Sequence, residues 1–261
     1  MIVTRYSHLA QIYHELGPGD AFVGLIPASP LRAALLTDLA ARGVRLLPSA
    51  TAQMLSASKA MQAFILGPWM MPHTQVITRR KGLLDALTEY SRLGIRAAVT
   101  KAEHQHCGHG VRRWNDLETL YNCLSLDDGH YPFVLQPFME VAADVRVVMA
   151  GDYCEAYVRH NPYGFRMNLA AGGSSQPYVL QATQHALCRR VMARGQMPYA
   201  HIDLIITPAG DLCLSEISLN GGVHGARISR AELDRLKHAQ LLAMAGEVCT
   251  EEESGKLKVE S

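Results

Sequence analysis

Apolar and polar positions alternate along this chain with two periods. Between residues 20 and 130 short apolar runs precede stretches with helical spacing. Ala21 to Ile26 reads as a strand. Leu31, Leu35, Leu36 and Leu39 then recur on one helix face, with Gly43 where a C-cap belongs, and Val44 to Leu47 forms a second strand stopped by Pro48. A helix is predicted from about Ala52 to Leu66, ended by Gly67-Pro68. The alternation repeats with a strand at Val76 to Thr78, a helix face of Leu83, Leu84, Leu87, Tyr90 and Leu93 closed by Gly94, and a strand from Ile95 to Lys101. A His- and Gly-rich loop covers 102–110, and Val111 resumes a strand. Asn115 or Asp116 is placed to cap a helix bearing Leu117, Leu120 and Leu124.

From residue 133 the pattern turns to hairpins. Phe133 to Phe138 is a strand. Asp144 to Ala150 and Tyr153 to His160 flank Gly151-Asp152, a two-residue turn signal. Residues 161–181 read as a polar loop and 182–195 as a helix. Ile202 to Thr207 and Leu212 to Ile217 flank the turn 208–211. A last helix is expected from about Arg230 to Met244, followed by a polar tail expected to be disordered over 247–261.

Hairpin register adds information that periodicity lacks, because partners across a turn have residue numbers with a constant sum. For the turn 151–152 that sum is 303, which sets Asp144 opposite Arg159 and Arg146 opposite Tyr157. Asp144, Arg146, Val148, Glu155, Tyr157 and Arg159 then share one face. The other face, with Val145, Val147, Met149, Cys154, Ala156 and Val158, is apolar. For the turn 208–211 the sum is 419, and Asp203 falls opposite Glu216. Two facing carboxylates repel, and their own hairpin holds little cation to offset this. A divalent cation between them resolves the conflict, with Ser218 and Asn220 near enough to add an oxygen. A bulged turn that slips the register and points both acids to water resolves it equally well.

Composition narrows the classes. The chain has 261 residues, 48% of them hydrophobic and 19% charged, enough for one large or two small domains with a real core. Twenty-five Lys plus Arg against 24 Asp plus Glu leave a net charge of +1, so no bulk charge points to nucleic acid. No apolar run approaches the roughly 18 residues that span a bilayer, and the first residues carry no signal-peptide core. A cytoplasmic protein with free thiols is expected, since the six cysteines include no Cys-x-x-Cys pair. Lys101 ends its strand beside Gly108 and Gly110, an arrangement suited to phosphate, although neither a P-loop nor a dinucleotide fingerprint is present. His104, His106, Cys107 and His109 are zinc-type ligands at tight spacing, read in preference as a polar loop. Arg166, ahead of Gly172-Gly173, is a second residue suited to a phosphoryl group.

In this order the pieces resemble the ATP-grasp superfamily, most closely its RimK-like carboxylate–amine ligases, over residues 55–230. Lys59 is similar to the family's first ATP lysine and Val99-Thr100-Lys101 to its Val-Val-Lys strand end, while 106–111 resembles its phosphate loop. Leu135-Gln136-Pro137-Phe138-Met139 looks like the adenine hinge, and Asp144-Val145-Arg146 is similar to the Asp-Ile-Arg element whose acid contacts the ribose. Phe165-Arg166-Met167-Asn168-Leu169 with Gly172-Gly173 is close to the Phe-Arg-Ser-Asn-Leu stretch. Asp203 and Ser215-Glu216-Ile217 match the magnesium strands, but Ser218 stands where the family has Asn, which leaves Ser218 or Asn220 as third ligand.

The resemblance implies an α+β fold, two α/β subdomains clamping a nucleotide between antiparallel sheets behind a shortened pre-grasp segment. The boundaries it implies are 1–54 for the pre-grasp segment, 55–132 for the small subdomain, 133–246 for the C-terminal subdomain and 247–261 for the tail. It implies ATP and Mg²⁺ (or Mn²⁺), and ligation of a carboxylate to an amine through an acyl phosphate with ADP released. Glutamate or another amino acid would be one substrate, and the other a small molecule or a protein C-terminus. Arg166 and Asn168 are the implied catalytic pair; Lys59, Lys101, Gly108, Gly110, Gln136, Pro137, Phe138, Asp144, Arg146 and Arg159 line the nucleotide cleft; Asp203, Glu216, Ser218 and Asn220 hold metal. No nucleic-acid or membrane partner is expected, and the short pre-grasp region suits a homodimer. The competing readings are a catalytically silent nucleotide-binding subunit and, far behind, a zinc protein built on the His104–His109 loop.

Overall fold

The computed structural model describes residues 1–103, 110–125, 128–162 and 172–256. The chain opens with β1 (Ile2–Val3), α1 (Tyr6–Gln11), β2 (Ala21–Val23), α2 (Arg32–Ala41) and β3 (Arg45–Leu47). The strands form a parallel sheet in the order β1-β2-β3. Gly43 ends the α2 turn at φ 78°, a backbone region that an L side chain resists. Val3, Leu9, Phe22, Leu36, Leu39 and Leu46 form the core of this segment. The sequence pattern did not foresee β1 and α1, which are too short to show a period.

Next come α3 (Ala50–Ala57) and α4 (Lys59–Leu66). One helix was expected here. The chain breaks at Ser58, which adopts an extended backbone and accepts a hydrogen bond from the Met61 amide as the N-cap of α4. Serine competes for the backbone in this way wherever a new helix can start. Both helices bury Ala52, Leu55, Ala63 and Leu66 in the large core.

The small sheet is built from β4 (Gln75–Ile77), β5 (Ala98–Ala102), β6 (Val111–Trp114) and β7 (Phe133–Pro137), all antiparallel in the order β4-β7-β5-β6. Helices α5 (Arg80–Arg92) and α6 (Leu117–Leu124) cover one face around Ile77, Leu83, Tyr90, Leu120 and Leu135. Asp116 caps α6 through the Thr119 amide, as one of the two predicted caps.

The large antiparallel sheet contains β8 (Ala143–Ala150), β9 (Tyr153–His160), β10 (Ser174–Tyr178), β11 (Tyr199–Ile206) and β12 (Leu212–Ser218), ordered β10-β9-β8-β11-β12. Helix α7 (Ala182–Arg194) buries Leu187, Cys188 and Val191 in its core. Strand β10 lies inside the stretch expected to be loop; it pairs with β9 although Pro177 and its polar neighbours hide a strand pattern. The first hairpin has the predicted register, Asp144 against Arg159 and Arg146 against Tyr157. On its polar face Val148, Glu155 and Tyr157 are buried, whereas Cys154 on the apolar face is exposed. The last helix, α8, runs Arg230–Lys256, so the tail expected to be disordered from 247 is helical as far as Lys256. Among the described residues no helix is long and apolar enough to cross a membrane.

Ile202 is fully buried between the central strands and the helices packed on them. Ile202→Ala should therefore cost about 2–5 kcal/mol, read as a lower urea midpoint at unchanged slope.

Candidate active site

The β11–β12 hairpin carries the site, and its register is not simple. Its loop is one residue longer than expected, since Ile206 pairs with Leu212 and Leu204 with Leu214. A bulge then intervenes, and Asp203 faces Glu216 as the sequence predicts. The residue left over is Ser215. Its carbonyl oxygen and Oγ accept hydrogen bonds from Lys101 Nζ at 3.1 and 3.3 Å. A bulge frees backbone groups from the ladder, and this one offers them to a lysine of the other sheet.

The sequence argument for a metal assumed that nothing nearby offsets Asp203. The structure corrects this. Asp203 is also opposite Arg146 on the other neighbour of β11, strand β8. Arg146 Nε and Nη2 donate to Asp203 Oδ1 and Oδ2 at 2.6 and 2.8 Å. Arg159 Nη2 adds a contact of 3.1 Å to Oδ2 and one of 2.5 Å to Asp144 Oδ1, while Arg159 Nε donates to Asp144 at 2.6 Å. Burial alone would raise the Asp203 pKa, but the two guanidinium groups hold it well below the usual carboxylate range. Burial dominates at Asp144 and pushes it up to about 6 against the pull of Arg159. Arg146 and Arg159 are held charged despite their burial, chiefly by Asp203.

Lys101 links this network to the small sheet. Burial lowers its pKa; Glu216, Asp203 and Asp144 act to raise it, and Lys59 acts to lower it. Lys59 opens α4, and with Gln62, Met70, Lys101, Val134, Gln136, Ser215 and Glu216 it lines a narrow cleft between the sheets. Three carboxylates (Asp144, Asp203, Glu216) thus meet four cations (Lys59, Lys101, Arg146, Arg159), and the balance is positive. Such a site suits a polyanion, which can bring its own divalent cation.

The oxygen donors fit Mg²⁺ in kind. Among the described residues Glu216 makes no hydrogen bond or ion pair, so its carboxylate is available, whereas both oxygens of Asp203 are engaged by arginines. Ser218 donates its hydroxyl to the Asn220 carbonyl at 3.1 Å. Among the described residues no three His, Cys, Asp or Glu gather as a metal cluster.

The hinge residues are partly committed elsewhere. Gln136 is buried and its amide donates to Thr74 Oγ1. Pro137 ends β7, and the Phe138 amide donates to the Ala97 carbonyl. Arg113 lies 3.7 Å over the Phe138 ring centroid. The sequence reading missed Arg113, although its place opposite Val99 on β6 sets it on the same sheet face as Lys101. The Gly110 carbonyl accepts from Ala102. Gly108, Arg166, Asn168 and the cluster His104, His106, Cys107 and His109 lie outside the described residues.

No family model matches the chain, and no curated protein does. Solved structures do. D-cycloserine synthetase DcsG is 17% identical, covers 86% of this chain and 83% of its own, and superposes with a TM-score of 0.63. D-alanyl-alanine synthetase A from Vibrio cholerae is 14% identical over 85% of this chain and 77% of its own, with a TM-score of 0.59. The ATP-grasp ligase PsnB, in a complex with a phosphomimetic precursor variant, Mg and ADP, is 18% identical over 81% and 67%, with a TM-score of 0.56. The fold is the ATP-grasp fold. The two antiparallel sheets described above agree with the α+β architecture expected of it.

Beneath the site, Glu155 anchors the segment that follows β12. It is 5% exposed and accepts from the Arg227 amide at 2.9 Å and from the Tyr153 hydroxyl at 2.5 Å. Burial pushes its pKa up, but the Tyr153 hydroxyl and the Arg227 and Ile228 groups outweigh that and hold it below its ordinary 4.5. A depressed carboxyl contributes stability above its unfolded pKa and loses it as pH falls through the folded one. Glu155→Gln should cost about 1–3 kcal/mol at pH 7. It should also flatten the loss of stability below pH 4.5 that urea titrations of the wild type will show.

Proposed function

We propose that this protein is an ATP-dependent ligase that joins a carboxylate to an amine, in the manner of the RimK-like branch. What carries the reading is the gathering of Lys59, Lys101 and Glu216 in one cleft of an ATP-grasp fold, beside the buried network of Asp144, Arg146, Arg159 and Asp203.

A carboxylate is a poor electrophile until it has a leaving group. Its oxygen attacks the γ-phosphorus of ATP, the bond to the bridging oxygen breaks, and ADP departs. The amine nitrogen then adds to the acyl carbon, phosphate leaves with the C–O bond, and nitrogen loses a proton. Positioning and charge neutralisation supply most of the acceleration in such transfers.

Lys59 and Lys101 neutralise phosphate charge, Lys101 by turning from Ser215 to the ligand. Asp203 and Glu216, with Ser218 or Asn220, would hold Mg²⁺, Asp203 through the lone pair of Oδ1 that Arg146 leaves open, and the ion would supply charge neutralisation on the triphosphate. Arg146 and Arg159 keep Asp203 ionised and aimed. Asp144 faces the ribose, Gln136, Pro137 and Phe138 flank the base, and Gly108 and Gly110 let the phosphate loop close. Arg166 steadies the transferring phosphoryl group and the oxyanion, and Asn168 orients it. An amino acid such as glutamate is one substrate in this reading.

Ser218, a poorer ligand standing where the family has Asn, favours a second reading in which the chain binds nucleotide without turning it over. ADP release with a panel of amino acids and amines separates the two.

Two carboxylate variants test the division of labour. Glu216 has no structural bond among the described residues to lose, so Glu216→Gln should abolish ADP release while the melting temperature stays unchanged; undiminished turnover would sink the metal assignment. Asp203→Asn should abolish turnover and also cost about 3–5 kcal/mol, because it leaves the buried Arg146 guanidinium without a carboxylate. Lys101→Ala should weaken ATP binding in calorimetry by more than it lowers stability.

A further inference from the structure

The turn that follows β12 is held by side chains from three other elements. The Leu219 amide donates to Ser56 Oγ of α3 at 2.9 Å. The Leu219 carbonyl accepts from Lys237 Nζ of α8 at 2.9 Å. The Gly221 carbonyl accepts from Arg230 of α8 at 2.5 Å, and the Gly222 carbonyl from Arg146 of β8 at 3.4 Å. Of these donors Lys237 is the unusual one. It is 5% exposed, makes no ion pair among the described residues, and lies 4.9 Å from the Tyr199 ring centroid.

Its second polar neighbour is His201, 3.3 Å away at Nε2. His201 is 2% exposed and lies on β11 two residues before Asp203, on the same sheet face. A charged Lys237 can only donate, so Nε2 accepts from it, while His201 Nδ1 is buried without a hydrogen-bond partner. Burial and the neighbouring Lys237 keep the ring neutral, and burial lowers Lys237 itself to about 8. Gly221 covers that edge of the ring so closely that a Cβ there would stand 2.6 Å from His201 Cγ and 2.7 Å from Nδ1. Lys237 therefore holds both the ring and the carbonyl of the turn lying on it.

We propose that Lys237 is a positioning residue for the metal-ligand turn, setting Ser218 and Asn220 against Asp203 and Glu216 through Leu219 and His201. Burying a lysine among neutral partners is costly, and here it ties the last helix to the strand ends that face the cleft. Groups that orient metal ligands from behind change metal affinity without touching the ion.

The inference rests on the ligase reading, and the test separates the two. Mn²⁺ binding in the presence of a non-hydrolysable ATP analogue is measured by calorimetry for the full chain and for Lys237→Met. Amide exchange over 219–223 is followed in the same samples without ligand. The variant should lose roughly tenfold to hundredfold in Mn²⁺ affinity. Its affinity for the analogue without metal should not change. Exchange should accelerate in 219–223 and not in β8 or β9, and Lys237→Arg should restore part of both effects. Unchanged Mn²⁺ affinity, unchanged exchange in the turn, or acceleration spread evenly over the chain would each overturn the proposal. Should Lys237→Met fail to fold, Gly221→Ala, which forces the His201 ring aside, must show the same loss of Mn²⁺ affinity for the proposal to stand. A wild type that binds neither Mn²⁺ nor the analogue overturns the ligase reading together with this one. Equal metal binding by the wild type and the variant overturns this one alone.

Discussion

A carboxylate taken out of water must find positive charge or lose its own. Asp203, 8% exposed, is where that constraint is most severe in this molecule, and the arrangement of the large sheet follows from it. Strand β8 must lie beside β11 for Arg146 to reach both oxygens, and β9 must lie beside β8 for Arg159 to close the network through Asp144. The strand order β9-β8-β11-β12 is the order that lets two arginines converge on one acid while Glu216 stays on the far side, unclaimed among the described residues. The same pairing keeps the cations from satisfying each other's partners completely. The site therefore keeps a positive surplus for a polyanionic ligand.

Much of this was legible in the sequence, for reasons that can be named. The first hairpin obeyed its arithmetic because Gly151, at φ 60°, makes the tight turn its residues specify. The second gave the right pair, Asp203 and Glu216, by two deviations that cancel: a loop one residue longer than expected and a bulge at Ser215 that restores the count. Neither deviation has a strong sequence signal. What the register argument could not see was the neighbour on the other side of β11. Arg146 was in hand as a residue, but hairpin arithmetic pairs only strands joined by a turn, and β8 and β11 are separated by β9, β10 and α7. Asp203 therefore lacks the unopposed charge from which a metal was inferred, although it does face Glu216.

The helical region fell short for a related reason. From Ala52 to Leu66 the apolar period runs on unbroken, and only the hydrogen bond of Ser58 to Met61 divides it. That division brings Lys59 to the first position of a new helix, at the edge of the cleft. It also lets Gln62 reach across, its side-chain oxygen accepting from the Ile217 amide 3.1 Å away and its amide donating to the Leu55 carbonyl. Through Gln62 the α3–α4 pair grips β12 next to Glu216. Lys237 and Ser56 hold the chain two residues further on, at Leu219, just past the same end of the strand.

Strand β12 has a neighbour on one side only among the described residues, and a bare strand edge is a template on which a second chain can form a new ladder. The irregularity at Ser215 breaks the run of free backbone groups along that edge. The lysine ammonium sitting on the Ser215 carbonyl removes an acceptor, and the isolated bridge between Met70 and Leu214 occupies the next stretch. The features that furnish the cleft thus also blunt this edge of the sheet as a template for a second copy.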